Sequence, residues 1–235
     1  MKTGILITGD TKGELKQRYG SFADMFMALL RQADPDLEFA CFDLLKHEFP
    51  DNPQQCDSWL ITGSEHGVYD NLPWMAPLQQ FIREVAAAGV PMVGICFGHQ
   101  IMAAALGARV EKSDKGWGLG PQRYQIEGIA EQSSVVLNAI HQDQVLSLPP
   151  QGKVFMRSEF CPYAGVCYGE SMMSIQAHPE FMADFTAEQL LELKGNLFPE
   201  ALTDAAIQRL QQPEWAADTD LVRRLMLNLL RPVSV

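Results

Sequence analysis

The sequence predicts an α/β protein built on a mostly parallel sheet flanked by helices. Short apolar runs at Ile5-Leu6-Ile7, Trp59-Leu60-Ile61 and Pro91 to Ile95 are too brief for helices and suit buried strands. Stretches at helical spacing, Phe22 to Leu30 and Trp74 to Ala88, fall between those runs. The chain of 235 residues suits one such domain. At that length it can bury roughly 70% of the unfolded surface.

Taken in order, Ile5-Leu6-Ile7 predicts a central strand that Thr8-Gly9-Asp10 ends at the sheet's C-terminal edge, where ligands of open α/β sheets gather. A polar loop should follow, then the amphipathic helix of Phe22 to Leu30, whose phenylalanines and methionines read as core. Leu37 to Phe42 alternates like a second strand, which makes Cys41 a packing residue. Asp57 to Thr62 predicts the third strand, opening into Gly63-Ser64-Glu65-His66-Gly67-Val68-Tyr69-Asp70, with His66 read as a loop residue. The helix of Trp74 to Ala88 closes at Gly89-Val90-Pro91. After Gly107, short strands are expected near Tyr124 to Ile126, Val135 to Leu137, Val154 to Met156, Val166 to Tyr168 and Met172 to Ile175. Helices are expected over Ala187 to Lys194, Ala201 to Gln211 and Asp218 to Leu230. The last carries an apolar stripe, Leu221, Leu225 and Leu229, that should pack on its own domain. No repeat or linker divides the sequence, so residues 1–235 read as one domain with 181–235 as a C-terminal helical extension.

A net charge of −11 argues against nucleic acid as a partner, because phosphate binding needs a basic footprint. No apolar run reaches the ~18 residues of a membrane helix. Five scattered cysteines, without metal-site spacing, fit a reducing cytoplasm better than a disulfide framework. Glycine-rich phosphate loops are also missing from the sequence.

Chemistry concentrates at Val93-Gly94-Ile95-Cys96-Phe97-Gly98-His99-Gln100, where a buried strand runs into the alanine-rich helix that closes at Gly107. Cys96 falls at the turn. There the thiol faces the positive end of a helix, which favours thiolate, the nucleophilic form. Gly94 and Gly98 permit a strained turn and leave room for a substrate. Standing alone, the motif fits a buried structural cysteine about as well. A base and an acid that could serve it lie downstream in Gln176-Ala177-His178-Pro179-Glu180. His178 and Glu180 fall side by side across one residue of extended chain, and Pro179 restricts the backbone between them.

Together the two motifs resemble class I, triad-type glutamine amidotransferases, from the first strand to about Phe181. The resemblance implies a flavodoxin-like fold with a small antiparallel sheet beyond the Gly-Trp-Gly around Trp117. It further implies Cys96 as nucleophile, His178 as base and Glu180 as its orienter, with no metal or organic cofactor. Backbone amides of Gly63 and Phe97 would form the oxyanion hole, and Gln100 would contact the amino-acid end of a glutamine-like substrate. Ser64, where many members have proline, would border the same substrate. His141 and Asp143, in a His-x-Asp that several members carry, read equally as pocket contacts or as a solvated loop.

Three functions remain open at this point. One is a glutaminase-type amidotransferase that hydrolyses glutamine and delivers ammonia to a separate synthetase subunit. Stand-alone members of the resembled family include γ-glutamyl peptidases, and a peptidase acting on glutathione-like compounds is the second. The third is a non-catalytic binding module on the same fold.

Overall fold

A computed structural model describes residues 1–128 and 132–231, so the last four residues of the 181–235 extension lie outside the described residues. The strands are β1 (Lys2–Ile7), β2 (Glu38–Asp43), β3 (Ser58–Ile61), β4 (Met92–Ile95), β5 (Val110–Lys112), β6 (Gly118–Ile126), β7 (Ser134–His141), β8 (Asp143–Val145), β9 (Gly152–Arg157), β10 (Gly165–Tyr168) and β11 (Met172–Ile175). The α-helices are α1 (Gly13–Tyr19), α2 (Phe22–Arg31), α3 (Met75–Ala88), α4 (Phe97–Ala105), α5 (Ala183–Leu193), α6 (Glu200–Leu210) and α7 (Asp220–Leu230).

Nine strands share one sheet in the order β2-β1-β3-β4-β11-β10-β9-β6-β7. The five from β2 to β11 run parallel. The remaining four continue antiparallel from β11, and β5 and β8 make a separate two-stranded antiparallel sheet. Thus most of the antiparallel strands extend the main sheet, and the small separate sheet consists of β5 and β8 alone.

Alternation along the strands divides the core between two faces. Ile5, Leu60, Val93 and Ile95 pack against Phe26 and Leu30 of α2 and Leu221, Met226 and Leu230 of α7. On the opposite face Leu6, Trp59, Ile61 and Met92 meet Leu78, Phe81 and Val85 of α3 and Ile101 and Met102 of α4. Each fully buried aliphatic side chain stabilises the fold by roughly 1.5–3 kcal/mol. Leu225 and Leu229 pack against the first of these clusters with Leu221, as the stripe predicts.

Three expectations need correction. The polar loop after β1 contains α1, a short helix with Leu15 as its one buried residue and no side-chain cap, so little in its sequence announces it. Cys41 is exposed, because β2 is an edge strand in which no side chain is fully buried on either face. Gly94 and Gly98 serve helix packing: a Cβ on Gly94 would lie 2.4 Å from Met102 Sδ, and one on Gly98 2.5 Å from the Ile61 carbonyl oxygen. Their small size lets α4 settle onto β3 and β4.

Candidate active site

The C-terminal ends of β1, β3, β4 and β11 border one cavity of about 480 Å³, and the site is assembled there. Cys96 joins β4 to α4 with φ 54° and ψ −103°, a conformation that costs an L-residue on the order of 1–3 kcal/mol. Two backbone bonds hold it there, Cys96 N–H to the Ile175 carbonyl at 2.9 Å and Gln100 N–H to the Cys96 carbonyl at 3.1 Å. The strain thus sits on the cysteine itself, at the start of α4, and the residue is 6% exposed.

Parallel pairing of β4 with β11 aligns Ile95 with Ile175, so the chain leaving β11 runs past Cys96. His178 is then fixed by a bridge to β7, its N–H reaching the Asn138 carbonyl at 2.8 Å. Its ring stacks on Phe181 with centroids 3.8 Å apart and planes within 3°. Nδ1–H donates to Glu180 Oε1 at 2.7 Å, and both side chains are almost wholly buried. A carboxylate oxygen only accepts, so this bond puts a hydrogen on Nδ1 and turns Nε2 toward the sulfur. Burial alone would push the imidazole's pKa down, but Glu180 and Cys96 more than reverse that and raise it to about 10. The ring is therefore cationic at neutral pH.

Gly63, just past β3, lies against the pair: a Cβ there would sit 3.0 Å from His178 Cε1 and 3.7 Å from Cys96 Cβ. Phe97 opens α4, directly after the thiol. Ser64, Gln100, His141 and Asp143 all line the cavity. Gln100 Nε2 is occupied within the protein, donating to the Asp143 carbonyl at 2.9 Å and to Gln176 Oε1 at 3.1 Å. Ser64 Oγ accepts from the His66 N–H at 3.3 Å. His141 Nδ1–H donates to the Asp143 carbonyl at 3.1 Å, and burial lowers the ring's pKa to about 4, so it stays neutral. His141 at the end of β7 and Asp143 at the start of β8 both lie on the cavity wall.

Sequence reasoning passed over three contributors. Tyr69 donates to Asp143 Oδ1 at 3.0 Å and joins the loop after β3 to β8. Gln176 donates from Nε2 to Cys96 Sγ at 3.7 Å. Its position two residues before His178 in extended chain, hence on the same face, was the available signal. The far wall comes from α1, the turn before β6 and the C-terminal segment: Leu15, Trp117, Gln189, Leu193 and Phe198. Glu188 ties these elements together, accepting from Tyr19 at 2.9 Å and pairing with Arg18 at 2.7 Å. Among the described residues no group of three His, Cys, Asp or Glu side chains could hold a metal, and no helix is long and apolar enough to cross a membrane.

A family model described as class-I glutamine amidotransferase matches residues 21–195. The chain is 31% identical to a Saccharomyces cerevisiae protein named as a candidate glutamine amidotransferase, YLR126C, over 83% of this chain and 85% of that one. It is 27% identical to γ-glutamyl peptidase 4 of Arabidopsis thaliana, over 72% and 71% of the two chains. A crystal structure of a glutamine amidotransferase from Thermotoga maritima superposes with a TM-score of 0.73 at 20% identity, covering 97% of this chain and 98% of that one.

Proposed function

Because this chain belongs to the class I glutamine amidotransferase family, we propose that it hydrolyses a γ-glutamyl amide with Cys96 as nucleophile, His178 as acid and base, and Glu180 orienting His178. The observation that carries this reading is the His178–Glu180 bond of 2.7 Å, buried beside a cysteine on a strained strand-to-helix turn.

In the first step Sγ attacks the amide carbon as a thiolate, its proton already held on the cationic His178 ring. The oxyanion develops in front of the Gly63 and Phe97 amides, whose donors need no reorganisation to meet it. Collapse breaks the C–N bond, and His178, cationic at neutral pH, gives its proton to the leaving nitrogen. Water then gives a proton to His178 and attacks the γ-glutamyl thioester; the C–S bond breaks, glutamate leaves and the thiolate–imidazolium pair re-forms. Ser64, Gln100, His141 and Asp143 would border the amino-acid end of the substrate, Gln100 through its Oε1.

With glutamine as substrate the product is ammonia, which a separate synthetase subunit would consume. A second reading, a γ-glutamyl peptidase, is favoured by the extent of the cavity. It continues past His178 to Trp117, Gln189, Leu193 and Phe198, more room than an ammonia leaving group fills. Measuring glutamate released from glutamine and from γ-glutamyl dipeptides, without ATP, tests both. Faster dipeptide cleavage selects the peptidase, and slow glutamine turnover that rises with added synthetase selects the amidotransferase. If neither substrate type is cleaved or forms an adduct on Cys96, the protein is a binding module.

A further inference from the structure

Gln176 follows β11 and is fully buried, so its carboxamide must find partners inside the protein or bear an uncompensated desolvation cost. The hydrogen-bond chain around it allows one orientation. At one end stands the main-chain carbonyl of Asp143, which can only accept. Gln100 must therefore present Nε2 to it, at 2.9 Å. The second hydrogen on that nitrogen reaches Gln176 Oε1 at 3.1 Å. That contact fixes the Gln176 amide in turn, and its Nε2 is left facing Cys96 Sγ at 3.7 Å. Reversing the Gln100 amide would set acceptor against acceptor at the Asp143 carbonyl, and reversing that of Gln176 would set donor against donor.

We propose that Gln176 is a catalytic hydrogen-bond donor to the nucleophilic sulfur, and that Gln100 is the positioning residue that aims it. The sulfur has a second neighbour, the Ile140 carbonyl at 3.9 Å, to which only a protonated thiol can donate. Gln176 serves the other state, because its N–H bonds best to a charged sulfur and strengthens as the proton leaves. The Gln176 donor holds the thiolate in line for attack and is released as the thioester forms. This inference rests on Cys96 being the nucleophile of the proposed reaction.

The test is alkylation of Cys96 by iodoacetamide in the full-length protein, followed by mass mapping from mildly acidic to alkaline pH. Gln176→Met keeps the side chain's length and removes the donor. The expected result is a half-maximal pH raised by about one unit and a rate at neutral pH lower by about tenfold. Gln100→Leu leaves Gln176 in place but frees it to turn, so the same shift should appear at smaller amplitude. With whichever γ-glutamyl substrate is cleaved, Gln176→Met should lower kcat while KM holds. An unmoved alkylation profile in folded Gln176→Met overturns the proposal; should that variant not fold, an unmoved profile in Gln100→Leu does so. Alkylation needs no substrate. A wild-type protein that cleaves nothing therefore counts against the proposed reaction, whereas cleavage with unmoved profiles counts only against Gln176.

Discussion

Tyr69 donates its phenolic hydrogen to the Asp143 carboxylate at 3.0 Å, which fastens the loop leaving β3 to the start of β8. The same loop carries Gly63 and Ser64. Gly67 makes the approach possible, since a Cβ there would lie 2.6 Å from the tyrosine ring. Tyr69→Phe should loosen the loop, raising KM about three- to tenfold while changing kcat little, because a partly exposed bond to a charged group contributes only on the order of 1 kcal/mol. Steady-state kinetics on the best γ-glutamyl substrate checks this; an unchanged KM would show that the loop is held by other contacts.

A γ-diazoketone analogue of glutamine should label Cys96 before any other cysteine. Cys41 is the more accessible thiol, but burial of its sulfur and the Asp24 charge push its pKa up. Burial raises Cys161 further, to about 12. Peptide mapping after brief treatment reads the outcome, and prior modification of Cys41 would remove Cys96 from the reaction.

His178→Ala should lower kcat by about 10³-fold or more, and Glu180→Gln by about 10- to 100-fold, as expected if Glu180 orients the imidazole and moves no proton. Losing the carboxylate also removes a main cause of the raised imidazole pKa, so the alkaline limb of the pH–rate profile should move to lower pH in Glu180→Gln. Wild-type rates in that variant would place the orienting acid elsewhere.

Stability should be greatest near pH 6.5. Burial lowers His99 to about 3 and His141 to about 4, so the unfolded chain binds more protons as pH falls below about 6.5, and stability declines there. His178 acts oppositely: its folded pKa of about 10 gives stability that is complete below about 6.5 and lost as pH rises through about 10. Each unit of displacement carries about 1.4 kcal/mol at full titration. Melting temperatures across pH should show both limbs, and His141→Asn should flatten the acidic one. An acidic limb unchanged by that substitution would mean that His141 does not titrate on unfolding.

The parallel strands and the Cys96 turn were legible because burial on both faces leaves unbroken apolar runs, and because the close approach of α4 to β3 and β4 demands the small neighbours Gly94 and Gly98. His178 and Glu180 could be paired from spacing alone. The same spacing puts Gln176 on their face, but its contacts to Gln100 and Cys96 depend on the β4–β11 pairing, which no local pattern announces. Helix α1 left little trace because tertiary contacts to α5 hold it, through Tyr19, Arg18 and Glu188, more than any helical pattern of its own. Cys41 misled because alternation reads the same in an edge strand as in a covered one.

The pairing of β4 with β11 at the middle of the sheet also governs when the thiol can become reactive during synthesis. Cys96 emerges from the ribosome long before His178, with β5 to β10 still to be made. Until β11 inserts beside β4, the carbonyl of Ile175 cannot hold the strained turn, and neither His178 nor Gln176 stands beside the sulfur. Closing so long a loop is slow relative to local helix formation. A nascent or truncated chain ending before β11 therefore carries an ordinary cysteine, and the site proposed around Cys96 is assembled only as the sheet closes.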